Sequence, residues 1–164
     1  GIEALTGLQN ELPNIRVRSL GRLLTSEQGR IFDRQYGYLP GDDYARALRE
    51  SDIVVYPSLY DGFSAPPLHV MASGAALITT AVAGVKEYAV HEDNALVCRP
   101  GSPQELRQQV IRLVRDPALR ERLRSHGPQT AQAYSVERRA GELLEFLREI
   151  HEEARNGRQA KVQA

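Results

Sequence analysis

The chain has 164 residues, 41% apolar and 26% charged, with 21 basic and 21 acidic side chains. That length fits one ordinary domain with a sizeable core, and the zero net charge offers no basic excess for nucleic acid to hold. No stretch approaches the roughly 18 apolar residues of a spanning helix. One cysteine, Cys98, cannot form an internal disulfide, and nothing reads as a signal peptide, so a reducing, cytoplasmic setting is expected. CxxC, HExxH and a full GxGxxG are absent, so no metal site and no dinucleotide fingerprint are expected. A start at Gly1 rather than Met suggests a piece of something longer.

In chain order, Leu5, Leu8 and Leu12 can line one helical face up to Pro13. Ile15 to Leu20 alternates apolar and polar at period two, which predicts a short strand. Thr25 to Gln28 predicts a short helix, and Ile31 to Leu39 a second extended run ending at the Pro40-Gly41 turn. Asp42 or Asp43 is placed to cap a helix carrying Tyr44, Ala47 and Leu48. Asp52 to Tyr56 is a nearly continuous apolar run stopped by Pro57, as in a strand buried on both faces. The loop Ser58 to Ala65 follows. A helix then begins with Pro66 in its first turn, carries Leu68, Met71 and Ala72, and stops at Gly74.

Ala76 to Thr80 predicts the next strand, Val85 to Val90 a short helix, and Ala95 to Cys98 a further strand. This βαβαβ alternation predicts an α/β fold, a doubly wound parallel sheet of about four or five strands. Ser102-Pro103-Gln104-Glu105 joins a cap, an early Pro and a Glu three positions on, opening a helix with Leu106, Val110 and Leu113. Asp116-Pro117 opens another, and Ser135 a third with Leu143, Leu147 and Ile150. These predict a helical C-terminal end. Residues 1–152 read as one domain and 153–164 as a polar, disordered tail.

The segment from Gly37 to Gly101 carries several motifs in a fixed order. They are Gly37-Tyr38-Leu39, the Pro57-Ser58 strand end, Asp61-Gly62-Phe63-Ser64, the helix through Gly74, Gly84 with Glu87, and Asn94 to Val97. This order and spacing closely resemble the C-terminal, donor-binding half of retaining glycosyltransferases of family 4, the group 1 transferases with the GT-B fold. The resemblance covers about two-thirds of the chain and implies one Rossmann-like half of that fold. It implies a nucleotide-diphosphate sugar as donor substrate, a glycan or lipid-linked acceptor, and no cofactor or metal. It also implies a separate N-terminal domain that binds the acceptor, and a cytoplasmic location, with the inner face of a membrane as a further location.

Physical chemistry agrees on where a ligand would sit. A glycine-containing loop between a buried strand's carboxyl end and a helix start is where α/β sheets bind ligands. Amides near Ser64 and Ala65, backed by the helix dipole, favour an anionic or hydroxyl-rich group, and Gly62 leaves room for backbone approach. An ordinary turn with Ser64 as a plain N-cap is the rival reading. The resemblance makes Asp61 the catalytic acid and Gly62, Phe63, Ser64 and Ala65 donor contacts.

The family's two glutamates eight positions apart fall on Asp61 and His69. The first becomes a shortened acid. The second becomes an imidazole, which accepts through one nitrogen only and loses bidentate capture of ribose hydroxyls. Tyr38 and Leu39 match the strand end beside the nucleobase, and Glu87 matches the family's Gly-x-x-Glu turn; a first-turn acid favoured by a helix dipole is Glu87's other reading. Tyr56 and Tyr60 read as core or rim aromatics, and His91, His126 and His151 as solvated. Arg107, Arg112, Arg115, Arg120, Arg122 and Arg124 read as a solvated face, with peripheral contact to anionic lipid as the other reading.

The phosphate-neutralising Gly-Arg pair and Lys of the resemblance find no full equivalent. Gly21-Arg22 is the nearest dipeptide, and Lys86 is the first lysine in the chain. Catalysis in such transfer rests on stabilising a departing diphosphate. The chain by itself is therefore expected to be weak or inactive. A non-catalytic nucleotide- or glycan-binding module remains the alternative, and a plain flavodoxin-like domain a third reading.

Overall fold

The structure is a computed structural model that describes residues 1–162, with side chains through residue 155. The chain divides into two compact units, residues 1–131 and 132–164.

In the first unit, α1 (Ile2–Leu5) and α2 (Leu8–Glu11) precede β1 (Arg18–Ser19), α3 (Ser26–Gly29), β2 (Arg34–Gln35) and α4 (Gly41–Arg49). Then come β3 (Ile53–Tyr56), α5 (Ala65–Ser73), β4 (Ala76–Thr80), β5 (Leu96–Cys98), α6 (Pro103–Arg115) and α7 (Pro117–Ala133). All strand pairs are parallel. Arg18 stands opposite Arg34 in a two-stranded sheet, and β3-β4-β5 forms a three-stranded one with Ile53 opposite Ala76 and Ile78 opposite Leu96. The expected strands are thus present among the described residues, divided between two sheets.

The central strand β4 is buried along its whole length, as a strand covered on both faces must be. Ala76 and Ile78 join Leu96, Leu113 and Leu123 in one apolar cluster. Each fully buried Leu or Ile of this kind contributes about 1.5–3 kcal/mol. Gly127 of α7 is pressed against Met71 of α5, where a Cβ would lie 3.3 Å from the methionine backbone.

Four local expectations are corrected. Leu5, Leu8 and Leu12 do not share one helix, because Gly7 turns left-handed at φ 68 and separates α1 from α2. The N-cap of α4 is Pro40, with Asp42 and Asp43 in the first turn, where they complement the helix dipole instead. Val85 to Val90 forms no helix but a run of turns, with Val85 and Lys86 both donating to the Val82 carbonyl. So short a segment rich in Val and Tyr cannot offset the cost of helix nucleation. The Glu105 amide donates to the hydroxyl of its cap Ser102, yet its carboxylate accepts from Arg99 rather than from the cap's own amide.

The arginines are also less solvated than expected. Arg107 donates to the carbonyls of Ala4 and Thr6 at 3.1 and 2.8 Å and pairs with Glu11, stitching the first helices onto α6. Arg120 caps the carbonyls of Leu113 and Val114, Arg124 that of Gly74, and Arg112 pairs with Glu92. A planar fork with five donors satisfies helix-end carbonyls well, and their spacing along the sequence does not show it.

The second unit is built on α8 (Val136–Val162), with Arg138 bonded to the Ser135 hydroxyl and Arg139 stacked over Tyr134. Its helix runs through the segment read as a tail, whose Glu, Ala, Gln and Lys residues are good helix formers. Residues 163–164 lie outside the described residues. No helix among the described residues is long and apolar enough to cross a membrane.

Two outcomes test this packing. Arg107→Ala should cost about 1–3 kcal/mol through its lost charge-assisted hydrogen bonds, with amide exchange rising first in residues 2–11. Burial, with Glu105 nearby, raises the Cys98 thiol from 9.0 to about 11. Above pH 9 the unfolded chain releases that proton and the folded chain keeps it, so stability falls as pH climbs toward 11. Thiol reagents at neutral pH should therefore label Cys98 only on unfolding.

Candidate functional site

Because β3 and β4 are parallel neighbours, the loop after β3 and the turn after β4 leave the same sheet edge. Thr79 and Thr80, both buried, join them: their hydroxyls donate to the carbonyls of Tyr56 at 3.2 Å and Ser58 at 2.5 Å. Gly84 brings the two segments into backbone contact. A Cβ there would lie 1.9 Å from the Gly62 carbonyl oxygen and 2.7 Å from the Phe63 Cα. Gly62 itself faces open space, so the glycine that the close approach demands is Gly84.

Asp61 is the centre of this junction. Its Oδ2 accepts from the Tyr56 hydroxyl at 3.1 Å and from the buried Ser64 hydroxyl, while its carbonyl accepts from the Gly84 amide. Burial, followed by the Asp61 hydrogen bond, raises the Tyr56 phenol above its ordinary value, with Ser64 opposing. The Tyr88 hydroxyl donates to the Ser64 carbonyl at 2.6 Å, and its ring meets Phe63 edge-on at 6.2 Å.

Ser64 is the N-cap of α5, but its side chain makes no capping bond. An N-cap oxygen accepts from the second or third helical amide, and these positions are Pro66 and Pro67, which have none. The hydroxyl is thereby released to Asp61. The plain N-cap reading of Ser64 fails for that reason. The same prolines leave Ala65 as the only N–H among the first three helical positions, so α5 is a poor anion seat.

The other expected site residues lie at different points. His69, in the second turn of α5, is exposed and meets Tyr44 of α4 edge-on at 5.9 Å. Burial raises the Tyr44 phenol above its ordinary value, with Tyr56 adding to it. Tyr38, 87% exposed, and the half-buried Leu39 follow β2, at a turn where the Gly21 amide donates to Gly37 at 2.8 Å. Arg22 therefore stands beside that turn. Glu87 is exposed in the β4 turn, and Tyr60 is 88% exposed on the loop. Structure thus unites Asp61, Gly62, Phe63, Ser64 and Ala65, with His69 one helical turn on and Tyr38 and Leu39 at the end of the other sheet.

His91 and His126 are not simply solvated: His91 Nδ1 accepts from the Val97 amide, and His126 meets Asp93 at 2.8 Å. Among the described residues, no three His, Cys, Asp or Glu side chains could hold a metal ion.

The family model for glycosyl transferases group 1 matches residues 34–130, more than half of the chain. The chain belongs to this family. An uncharacterized glycosyltransferase of Methanocaldococcus jannaschii is 32% identical over 85 residues, covering 52% of this chain and 22% of the relative. O-antigen chain mannosyltransferase B of Escherichia coli is 29% identical over 104 residues, covering 63% and 27%. Anabaena HepE, solved in complex with UDP, superposes with a TM-score of 0.78 at 19% identity, covering 91% of this chain and 45% of that one. The fold is therefore one α/β half of the GT-B type. This chain spans only about a quarter of these two curated relatives.

Tyr88, Thr80 and Tyr44 were not singled out from the sequence. For Thr80 and Tyr88 the signal was their place at the end of, and just after, the buried strand β4; Tyr44 had none. Gly84→Ala should displace the Asp61 loop and destabilise the chain by about 1–3 kcal/mol, as overpacking does. Thermal unfolding checks the cost, and amide shifts over residues 61–65 check the displacement; unchanged values would refute the close approach.

Proposed function

We propose that this chain is the donor-binding half of a retaining group 1 glycosyltransferase, which moves a sugar from a nucleotide-diphosphate sugar to a glycan or lipid-linked acceptor. The observation that carries it is the Asp61 to Ala65 loop, fastened to the β4 turn through Gly84 at the carboxyl edge of a parallel sheet. Such an edge is where open α/β sheets take their ligands. Hexosyl chemistry is supported by the mannosyltransferase relative, and a nucleotide donor by the UDP complex of the structural neighbour.

In this reading, Asp61 and the amides of Gly62 to Ala65 meet the donor sugar. His69 faces the nucleotide ribose, Tyr38 and Leu39 lie beside the base, and Glu87 approaches the donor from the β4 turn. The acceptor is bound by a second domain, and cations to neutralise the diphosphate come from outside this chain's loop. The reaction takes place at the cytoplasmic side, and a lipid-linked acceptor would bring it to the membrane surface. A non-catalytic binding module is the second reading, favoured by His69 standing where the family's second glutamate falls.

Titration with UDP and GDP at millimolar concentration, followed by amide NMR, should shift residues 62–65. Shifts confined to α6 and α7 would refute the site. The complete gene product should consume a nucleotide sugar while this chain alone does not; a complete protein that binds but never turns over supports the module instead. His69→Glu should tighten nucleotide binding by roughly 1–3 kcal/mol, the worth of a hydrogen bond to a charged group. Calorimetry checks it, and an unchanged affinity would remove His69 from the site.

A further inference from the structure

In the resembled family this loop reads Gly-Phe-Gly after a glutamate; this chain has Asp61 for the glutamate and Ser64 for the last glycine, and the two side chains touch. Asp61 is one methylene shorter than the family's glutamate, which withdraws its carboxylate by about 1.5 Å, one carbon–carbon bond. Ser64 stands where the pattern has glycine, and its hydroxyl bonds to Asp61 Oδ2. Ser64 is only 1% exposed, so water does not compete for this bond.

Three features hold the serine in that role. Pro66 and Pro67 deny its hydroxyl a helical amide to cap. Tyr88 fixes its carbonyl at 2.6 Å. Tyr56, from the end of β3, gives a second hydroxyl to the same carboxylate oxygen at 3.1 Å. Both side-chain bonds thus fall on Oδ2, and Oδ1 takes part in neither. A carboxylate oxygen has lone pairs to accept an incoming hydroxyl.

We propose that Ser64 is a positioning residue for Asp61. With Tyr56 it grips Oδ2 and turns Oδ1 toward a donor-sugar hydroxyl, compensating for the shorter acid. Asp61 and Ser64 form a matched pair, in which a change at one is repaired by the corresponding change at the other. A glutamate at position 61 meets the Ser64 hydroxyl in the space its longer chain needs, whereas glycine at 64 leaves Asp61 held by Tyr56 alone. This inference rests on the nucleotide-sugar reading above.

The test is a double-variant cycle in the complete gene product, comparing the parent with Ser64→Gly, Asp61→Glu and the combination Asp61→Glu/Ser64→Gly. Turnover of UDP-glucose and GDP-mannose is measured alongside calorimetric binding of UDP and GDP. Each single change should lower kcat roughly tenfold or more, while the combination returns to within about threefold of the parent. Nucleoside diphosphate affinity should stay constant throughout, because the pair reads the sugar. A purely structural serine would move diphosphate binding and thermal unfolding together with kcat, and would show no repair.

Tyr56→Phe keeps the packing and removes only the second hydroxyl. It should lower kcat alone, which keeps the proposal testable if a Ser64 variant folds poorly. Single variants with parental kcat, or a combination no better than the worse single, overturn the pairing while leaving the donor site standing. A parent protein that neither consumes nor binds these nucleotides removes the donor site, and the pairing with it.

Discussion

Everything at the site depends on one backbone contact, the seating of the loop after β3 against Gly84 in the turn after β4. Two polypeptide backbones can approach so closely only where one lacks a Cβ. Once they touch, the surrounding hydroxyls have fixed targets. Thr79 and Thr80 reach back to the carbonyls of Tyr56 and Ser58, and Tyr88 reaches across to Ser64. None of these bonds involves a charge, and each ends on a backbone carbonyl of the β3 segment or its loop. The loop that carries Asp61 is therefore held from below by neutral donors. Its acid is oriented rather than neutralised.

The parallel sheet was legible because β3 and β4 read as short apolar runs bounded by Pro57 and Gly74, and a buried parallel strand has no alternation to hide. The donor loop was legible because its motif residues follow one another along the chain. What could not be read was anything set by distance across the fold. Ser64 looked like a cap, and only the paired prolines after it, seen together with Asp61, show why it is not one. Gly62 looked like the glycine that permits close approach, but that demand falls on Gly84, twenty-two positions away. The Arg-rich helices looked solvated because spacing shows which face a side chain is on and not which carbonyl it reaches.

The family places a glutamate at each end of an eight-residue interval, and this chain keeps an acid only at the first. Asp61 accepts from the Tyr56 and Ser64 hydroxyls. His69 lies edge-on against Tyr44 of α4. The two ends of the interval thus differ in kind, one a carboxylate held by hydroxyls and the other an imidazole set against an aromatic ring.

In the second unit, α8 presents Leu143, Leu144, Phe146, Leu147 and Ile150 roughly half exposed. Arg138 and Arg139 both pair with Glu142, which is held below the ordinary carboxylate range first by the Arg139 hydrogen bond and then by that of Arg138. Dissolved ions screen exposed pairs of this kind, while the apolar stripe grows less soluble as structure-making salts are added. Ionic strength therefore pulls this helix in two directions, loosening its internal contacts and driving its side chains out of water. Buffer choice becomes a structural variable for this protein, and low-salt conditions favour the helix while restraining self-association.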